Sequence, residues 1–424
     1  MSTGQNKNQT PRESLWTKDF ILVCIAGFLA NISIQMMNTT LAPFANDLWN
    51  SKTLGGLLTT FFNIGSIGMA FVSGAIANRT GRRNALIISA AIFVPATLMM
   101  ALLQVPGVCL AMRILQGTSK GLTFAVASVV VTEVSPQSRL TEALGLFGLG
   151  STLAFAIGPY IGLVMSDVAY TSMFLVCAAM SVLGGFSALF ITYEKHYKAR
   201  IAKETAGLQA AAPKKEYHGA WKLVEKKALA SGINFAIAFA STSCILIFIS
   251  TFSKEVLGYT SYQTCGFYVV AAIAMLIIRL FGGRIADTYG PLTMVIPGHA
   301  AIFILLLTMA TSLVTRSYAF YLLCGACYGF AIAANMPAMN AMAVLYSPAD
   351  RKSEANASFA FVQDIGIMIA SLTFGSVIDA GKTVMQGYRM VFIICLVVAA
   401  ISFAMSLILY NKKAVARYVA ARED

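Results

Sequence analysis

Charge is scarce in this sequence of 424 residues: Asp, Glu, Lys and Arg make up only 12% of it, where a soluble protein carries about 25%. Histidine is scarcer still. His196, His218 and His299 stand far apart, so no metal-ligand spacing exists. The eight cysteines are scattered, all of them in or beside apolar runs. Cys324 and Cys327 form a CxxC, but they sit with Gly325 and Ala326 in an apolar helix, where cysteine serves as a small packing residue. Nucleophile–base spacings, phosphate-cradling glycine loops and metal clusters are missing, so an enzyme is not expected and no cofactor is implied. Alternating ten-residue segments are missing too, which removes a β-barrel. The first apolar run follows a polar tail and lacks a small-residue cleavage site, so no cleaved signal peptide is expected.

What the chain has instead is apolar length. It is 58% hydrophobic, and at about 20 residues per crossing it holds twelve membrane spans. They lie near 20–44, 55–77, 85–104, 108–134, 142–165, 171–193, 229–252, 262–285, 291–314, 318–346, 354–378 and 388–411. An all-α membrane protein follows. Residues 194–228 are the one long polar interruption, with nine Lys and Arg. The organisation read from this is a tail at 1–19, a six-helix bundle at 20–193, a central loop at 194–228, a second bundle at 229–411 and a tail at 412–424.

The two tails, the central loop and the connections on their side hold 23 of the 31 Lys and Arg. The opposite connections hold Lys52, Lys254, Arg316, Lys382 and Arg389. The positive-inside rule therefore places both termini in the cytoplasm of a multi-pass cell-membrane protein. The net charge of +13 then reports topology and a lipid bilayer as partner, rather than nucleic acid.

The two halves repeat. GAIANRTG (Gly74 to Gly81) returns 209 residues later as GRIADTYG (Gly283 to Gly290). VSPQSRLTEALGLF (Val134 to Phe147) matches YSPADRKSEANASF (Tyr346 to Phe359) at an offset of 212, and Gly117 and Gly121 match Gly325 and Gly329. Parallel six-span repeats put a substrate site near the midplane, between the halves.

Polar residues inside spans mark that site. Arg113, Gln116 and Lys120 share one face of helix 4. At 1.5 Å per residue Lys120 lies roughly 18 Å down its helix and Asp364 about 15 Å up helix 11, at similar depth. Asp364 is the only acid well inside a span. It is the leading candidate for a proton-titrating group, with a permanent ion pair to Lys120 as the rival. Arg113 is placed with it in proton coupling. Asn31, Gln35 and Asn38 form a stripe on helix 1, and Asn63 lies on helix 2. Asn234 and Ser241 share a face of helix 7, Tyr328 and Asn335 of helix 10, and Gln363 precedes Asp364. All are expected cavity residues, although each could instead bond a neighbouring helix.

Three motifs resemble the major facilitator superfamily over essentially the whole chain, and within it the twelve-span drug:proton antiporters. Gly74…Asn78-Arg79…Gly81-Arg82-Arg83 is similar to the family's loop between helices 2 and 3. Arg113-Ile-Leu-Gln116-Gly117 is similar to its helix 4 motif, and Gly158-Pro159…Gly162 to the helix 5 motif associated with antiport. The resemblance implies two pseudo-symmetric six-helix bundles and a secondary transporter that works by alternating access. It also implies proton-coupled efflux of a drug-like or amphipathic metabolite, with uptake of an organic anion as the alternative, by a monomer. The family usually has an acid where this chain has Asn78. The arginines must then find acids elsewhere, and a cytoplasmic gate of Arg79, Arg82, Glu133, Arg139 and Glu142 is expected, with Glu133 facing Arg79 and with Asp287 in the second copy. Gly74 is expected to let helix 2 pack closely, and Gly81 to take a positive φ. Arg113 and Lys120 against Asp364 leave the cavity formally at +1, which favours anionic, zwitterionic or neutral substrates.

Overall fold

The computed structural model describes residues 14–136, 139–194, 224–348 and 351–410. Among them are twelve helices of membrane-crossing length and no strand. The first half holds α1 (Lys18–Trp49), α2 (Lys52–Thr80), α3 (Arg82–Leu102), α4 (Pro106–Val134), α5 (Leu140–Val168) and α6 (Tyr170–Leu189). The second holds α7 (Lys226–Phe252), α8 (Ser261–Tyr289), α9 (Leu292–Thr315), α10 (Tyr318–Leu345), α11 (Lys352–Asp379) and α12 (Val384–Leu409). A helix satisfies its own backbone, which lipid requires. Its ends need help: Thr17, Ser51 and Thr383 accept backbone N–H bonds at α1, α2 and α12, and Thr260 with Gln263 forms a capping box at α8.

The halves share one packing plan. In the first, α2 lies on α4 and α1 on α5; in the second, α8 lies on α10 and α7 on α11. Glycines permit the α2–α4 and α8–α10 contacts. A methyl on Gly117 would overlap the carbonyl oxygen of Phe62, and one on Gly329 that of Ala271. Both copies of the α2–α3 turn close on a glycine with positive φ, 88° at Gly81 and 93° at Gly290, which a side chain would strain. Gly74 differs from expectation. It is exposed and a Cβ there would meet nothing, so it permits no close helix contact.

The halves meet through α2 against α11, α5 against α8, and α1 against α7. We call the end that carries the α2–α3 turn the basic end and the other the far end. Each half has an apolar cluster at the basic end made of its own residues alone. At the far end the second half's cluster also takes in Ala42, Phe155 and Leu163 of the first half. The buried apolar cluster shared by both halves is therefore at the far end, while toward the basic end the part-exposed rings of Phe71 and Phe361 meet across the halves.

Candidate functional site

Between these apolar layers lies a polar one. Close α2–α4 packing lets Arg113, fully buried on α4, reach α2: Nε donates to the Leu58 carbonyl oxygen at 3.0 Å. Nη1 donates to Gln116 Oε1 at 3.0 Å and Nη2 to Asn38 Oδ1 at 3.3 Å, while the guanidinium lies 4.1 Å from the centre of the Phe62 ring. Gln116 in turn donates to Thr97 Oγ1 at 2.9 Å. Arg113 makes no ion pair among the described residues. Burying an unpaired charge costs several kcal/mol, and three hydrogen bonds and a ring face offset that cost here.

Two turns along α4, Lys120 Nζ lies 3.7 Å from Asp364 Oδ1 on α11. This contact across the two halves is the ion pair that stands as the rival to a proton-titrating Asp364. Asp364 Oδ2 also accepts from Ser66 Oγ at 3.4 Å. The pair is loose and partly open, with side chains 26% and 19% exposed. A purely structural pair looks different: Arg351 and Glu225 lie 2.7 Å apart at 5% and 6% exposure.

A cavity of about 180 Å³ adjoins Lys120. Asn31, Gln35, Asn38, Asn63 and Lys120, five of the residues named from the sequence, line it, joined by Thr59 and Ser243. Phe62, Phe124 and Phe239 supply aromatic wall. The other expected lining residues are elsewhere. Gln116 is buried in the Arg113 network. Asn234 donates to Ser406 Oγ at 2.8 Å and accepts from Ser402 Oγ at 2.9 Å, joining α7 to α12. Ser241 donates to the Ala238 carbonyl at 2.6 Å within α7. Tyr328 is buried and stacked on Phe155, with ring centres 6.0 Å apart. Asn335 is buried over Gly298, and Gln363 does not line this cavity. Gly158 and Gly162 press α5 against α1, and α5 continues unbroken through Pro159.

At the basic end the arginines find acids, though not as expected. Glu133 meets Arg82 at 3.2 Å, not Arg79, which is exposed and has no hydrogen bond or ion pair among the described residues. Arg82 also donates to Asn78 Oδ1 at 3.1 Å. Arg139 pairs with Glu142 at 2.7 Å, and Arg83 lies beside Glu194 through its backbone. Glu194, first residue of the expected central loop, accepts from the backbone N–H groups of Arg82 and Arg83 and so caps α3. Its neighbour Tyr193 donates its hydroxyl to Glu133 at 2.5 Å. Burial, and then the bond to Glu133, push the Tyr193 phenol up from its ordinary range. The side chain of Asp287 lies outside the described residues.

The far end carries a cluster that sequence reasoning treated as topology alone. Past α7 the chain makes a π-helical turn, Ser253–Leu257. From it Lys254 reaches Asp47 at 2.8 Å and Glu255 reaches Lys52 at 3.1 Å. Asp379, last residue of α11, caps α2 across the halves. It accepts from Thr53 N and Thr53 Oγ1, each at 2.7 Å, from Lys52 N at 3.2 Å and from Ser51 Oγ at 3.4 Å. Asp167 near the end of α5 accepts from Ser261 Oγ at 2.8 Å at the start of α8. Asp167 and Asp379 stand 212 residues apart, the offset of the α4–α5 repeat, and that spacing was the available signal.

Comparison with known proteins gives one consistent result. The family model for the Major Facilitator Superfamily matches residues 23–371. An uncharacterized MFS-type transporter of Methanocaldococcus jannaschii is 22% identical over 91% of this chain and 97% of its own. The multidrug resistance protein MdtL of Escherichia coli is 24% identical over 66% of this chain and 69% of its own. Among solved structures, the nucleoside transporter NupG superposes with a TM-score of 0.71 at 14% identity, covering 92% of this chain and 99% of that one. A D-xylose–proton symporter superposes at 0.72 and 14%, covering 92% and 97%.

Proposed function

The chain belongs to the Major Facilitator Superfamily, and we propose that this multi-pass membrane transporter couples the movement of a small organic molecule to protons by alternating access. One observation carries the proposal: Lys120 and Asp364 meet at 3.7 Å across the two halves, beside the cavity. A carboxylate there has two partners available, the ammonium group of Lys120 or a proton. Protonation removes the charge that ties α4 to α11, so the contact between halves depends on the proton. The membrane potential adds about 2.3 kcal/mol per charge per 100 mV.

Efflux by exchange is supported by the likeness to MdtL and by the Gly158–Pro159–Gly162 face against α1. Uptake with protons has a separate support, a cavity whose one charged lining residue among the described residues is basic. The basic end would face the cytoplasm by the positive-inside rule, which would put the far end on the outer side of the membrane.

The test is substrate flux into proteoliposomes under imposed pH gradients of either sign. Wild-type flux should follow the proton gradient and Asp364→Asn flux should not. Unaltered gradient dependence in Asp364→Asn would remove the carboxylate from coupling.

A further inference from the structure

We propose that the cavity takes a small organic anion, its acid group held by Lys120 in place of Asp364, so that one anion and one proton travel together. This rests on the reading of Asp364 as the proton-carrying group. The charge distribution is the first reason. Among the described residues, the one charged side chain lining the cavity is Lys120; α1, α2 and α7 contribute only neutral side chains to it. Behind the wall stands Arg113, fully buried, without a carboxylate partner among the described residues, and bonded to Asn38, which does line the cavity. One cation thus lines the ligand space and a second stands buried behind it, while Asp364, paired with Lys120, is not among the lining residues. Coulomb interactions strengthen as the dielectric falls, so this cavity attracts an anion and repels a lipophilic cation.

The looseness of the pair is the second reason. At 3.7 Å and with both partners part-exposed, Lys120 can exchange one carboxylate for another without breaking a tight buried pair. Asp364 then keeps only Ser66 as a partner and stands next to a second negative charge. Like charges at such range cannot both stay ionised at low cost. The balance is that the Lys120–Asp364 pair, plus an organic carboxylate and one proton, becomes a Lys120–substrate pair plus a neutral Asp364 carboxylic acid. The charge of the site is the same before and after. Anion and proton therefore favour each other's binding, which is co-transport. A cation would compete with the proton for Asp364, which is exchange. Substrate charge and transport direction are tied by this one geometry.

Size and wall chemistry narrow the class. At about 180 Å³ the cavity lies below the roughly 300–1,000 Å³ of drug-sized pockets. Phe124 and Phe239 offer apolar surface, and Asn31, Gln35 and Asn63 can bond a hydroxyl or keto group. A small monocarboxylate with a planar or apolar body fits these terms.

Purified full-length protein in weakly buffered detergent provides the test, with benzoate and para-hydroxybenzoate as anionic probes and tetraphenylphosphonium as the cationic one. Expected are carboxylate binding with uptake of about one proton per anion, read by a pH indicator, and no binding of the cation. Lys120→Gln should weaken carboxylate binding by about 10-fold to 100-fold, Lys120→Arg should recover part of that loss, and Asp364→Asn should bind without proton uptake. Proton release on binding of the cation, with no carboxylate binding, overturns the inference while leaving Asp364 as the coupling group. Carboxylate binding with equal proton uptake in Asp364→Asn overturns both. Equal carboxylate affinity in wild type and Lys120→Gln also overturns it.

Discussion

Replacing Asp379 by asparagine should open the far end. The Asp379 carboxylate takes four hydrogen bonds from the start of α2, two of them from backbone N–H groups at 2.7 and 3.2 Å. These bonds join the two halves, so they exist only while the far end is closed. An N-terminal cap is worth about 0.5–2 kcal/mol, and a negative charge at an exposed helix N-terminus about 0.3–1 kcal/mol. Asparagine keeps one acceptor oxygen but turns an NH₂ group toward donors and loses the charge. The closed conformation should lose about 1–3 kcal/mol, a shift of roughly 5–150-fold in the closed-to-open ratio. Spin labels at Val168 on α5 and Val384 on α12, both exposed at the far end, would read it as a longer distance population. The background should lack Cys24 and Cys327, the two cysteines that are not fully buried. Thr53→Val removes one of the four bonds and should shift the ratio less. Unchanged distance distributions in Asp379→Asn would refute the assignment of the cap as a closing element.

Three further outcomes follow from the packing. Arg351→Ala leaves Glu225 buried without its partner at 2.7 Å and should cost about 3–5 kcal/mol, seen as a lower melting temperature in detergent; the double variant with Glu225→Ala should regain much of it. Gly158→Ala puts a methyl 2.7 Å from Gln35 Cβ and 3.0 Å from the Ile32 carbonyl oxygen, an overpacking worth about 1–3 kcal/mol that the same melting assay reads, with transport falling if α5 must slide on α1. Tyr193 has its phenol raised by burial; the unfolded phenol loses its proton near pH 10 while the folded one keeps it, so stability should fall as pH rises above about 10. Tyr193→Phe should flatten that decline in a pH series of melting temperatures.

The fold was readable because bilayer length, loop charge and two repeat offsets all point one way. Lys120 and Asp364 were readable because helical rise sets depth, and charges at one depth in a membrane need each other. The neutral residues were not readable. Asn234 and Ser241 share a face of α7, but in lipid an amide or hydroxyl serves a neighbouring helix as readily as a cavity, and periodicity alone does not separate the two. The neighbour here is α12 for Asn234 and its own helix for Ser241. Gly74 was misread because a glycine's spacing does not say which way it faces. The partners of the basic turn were half legible: Glu133 was near enough in sequence logic, whereas Glu194 comes from beyond α6 and gives no local signal. The far-end cluster was hidden because charges in short connections look alike whether they set topology or join two halves.

The far-end carboxylates have a meaning for assembly. Asp379 of the second half holds the start of α2 in the first, and Asp167 of the first half holds the start of α8 in the second. Each half therefore supplies one carboxylate and one helix start, at corresponding positions. In an isologous contact residue i meets residue j while j meets i, and these two carboxylate contacts follow that pattern, although only Asp379 takes backbone N–H bonds. A lone six-helix half carries both a carboxylate and a helix start, so at this end it holds the complement to the other half's pair in a single chain.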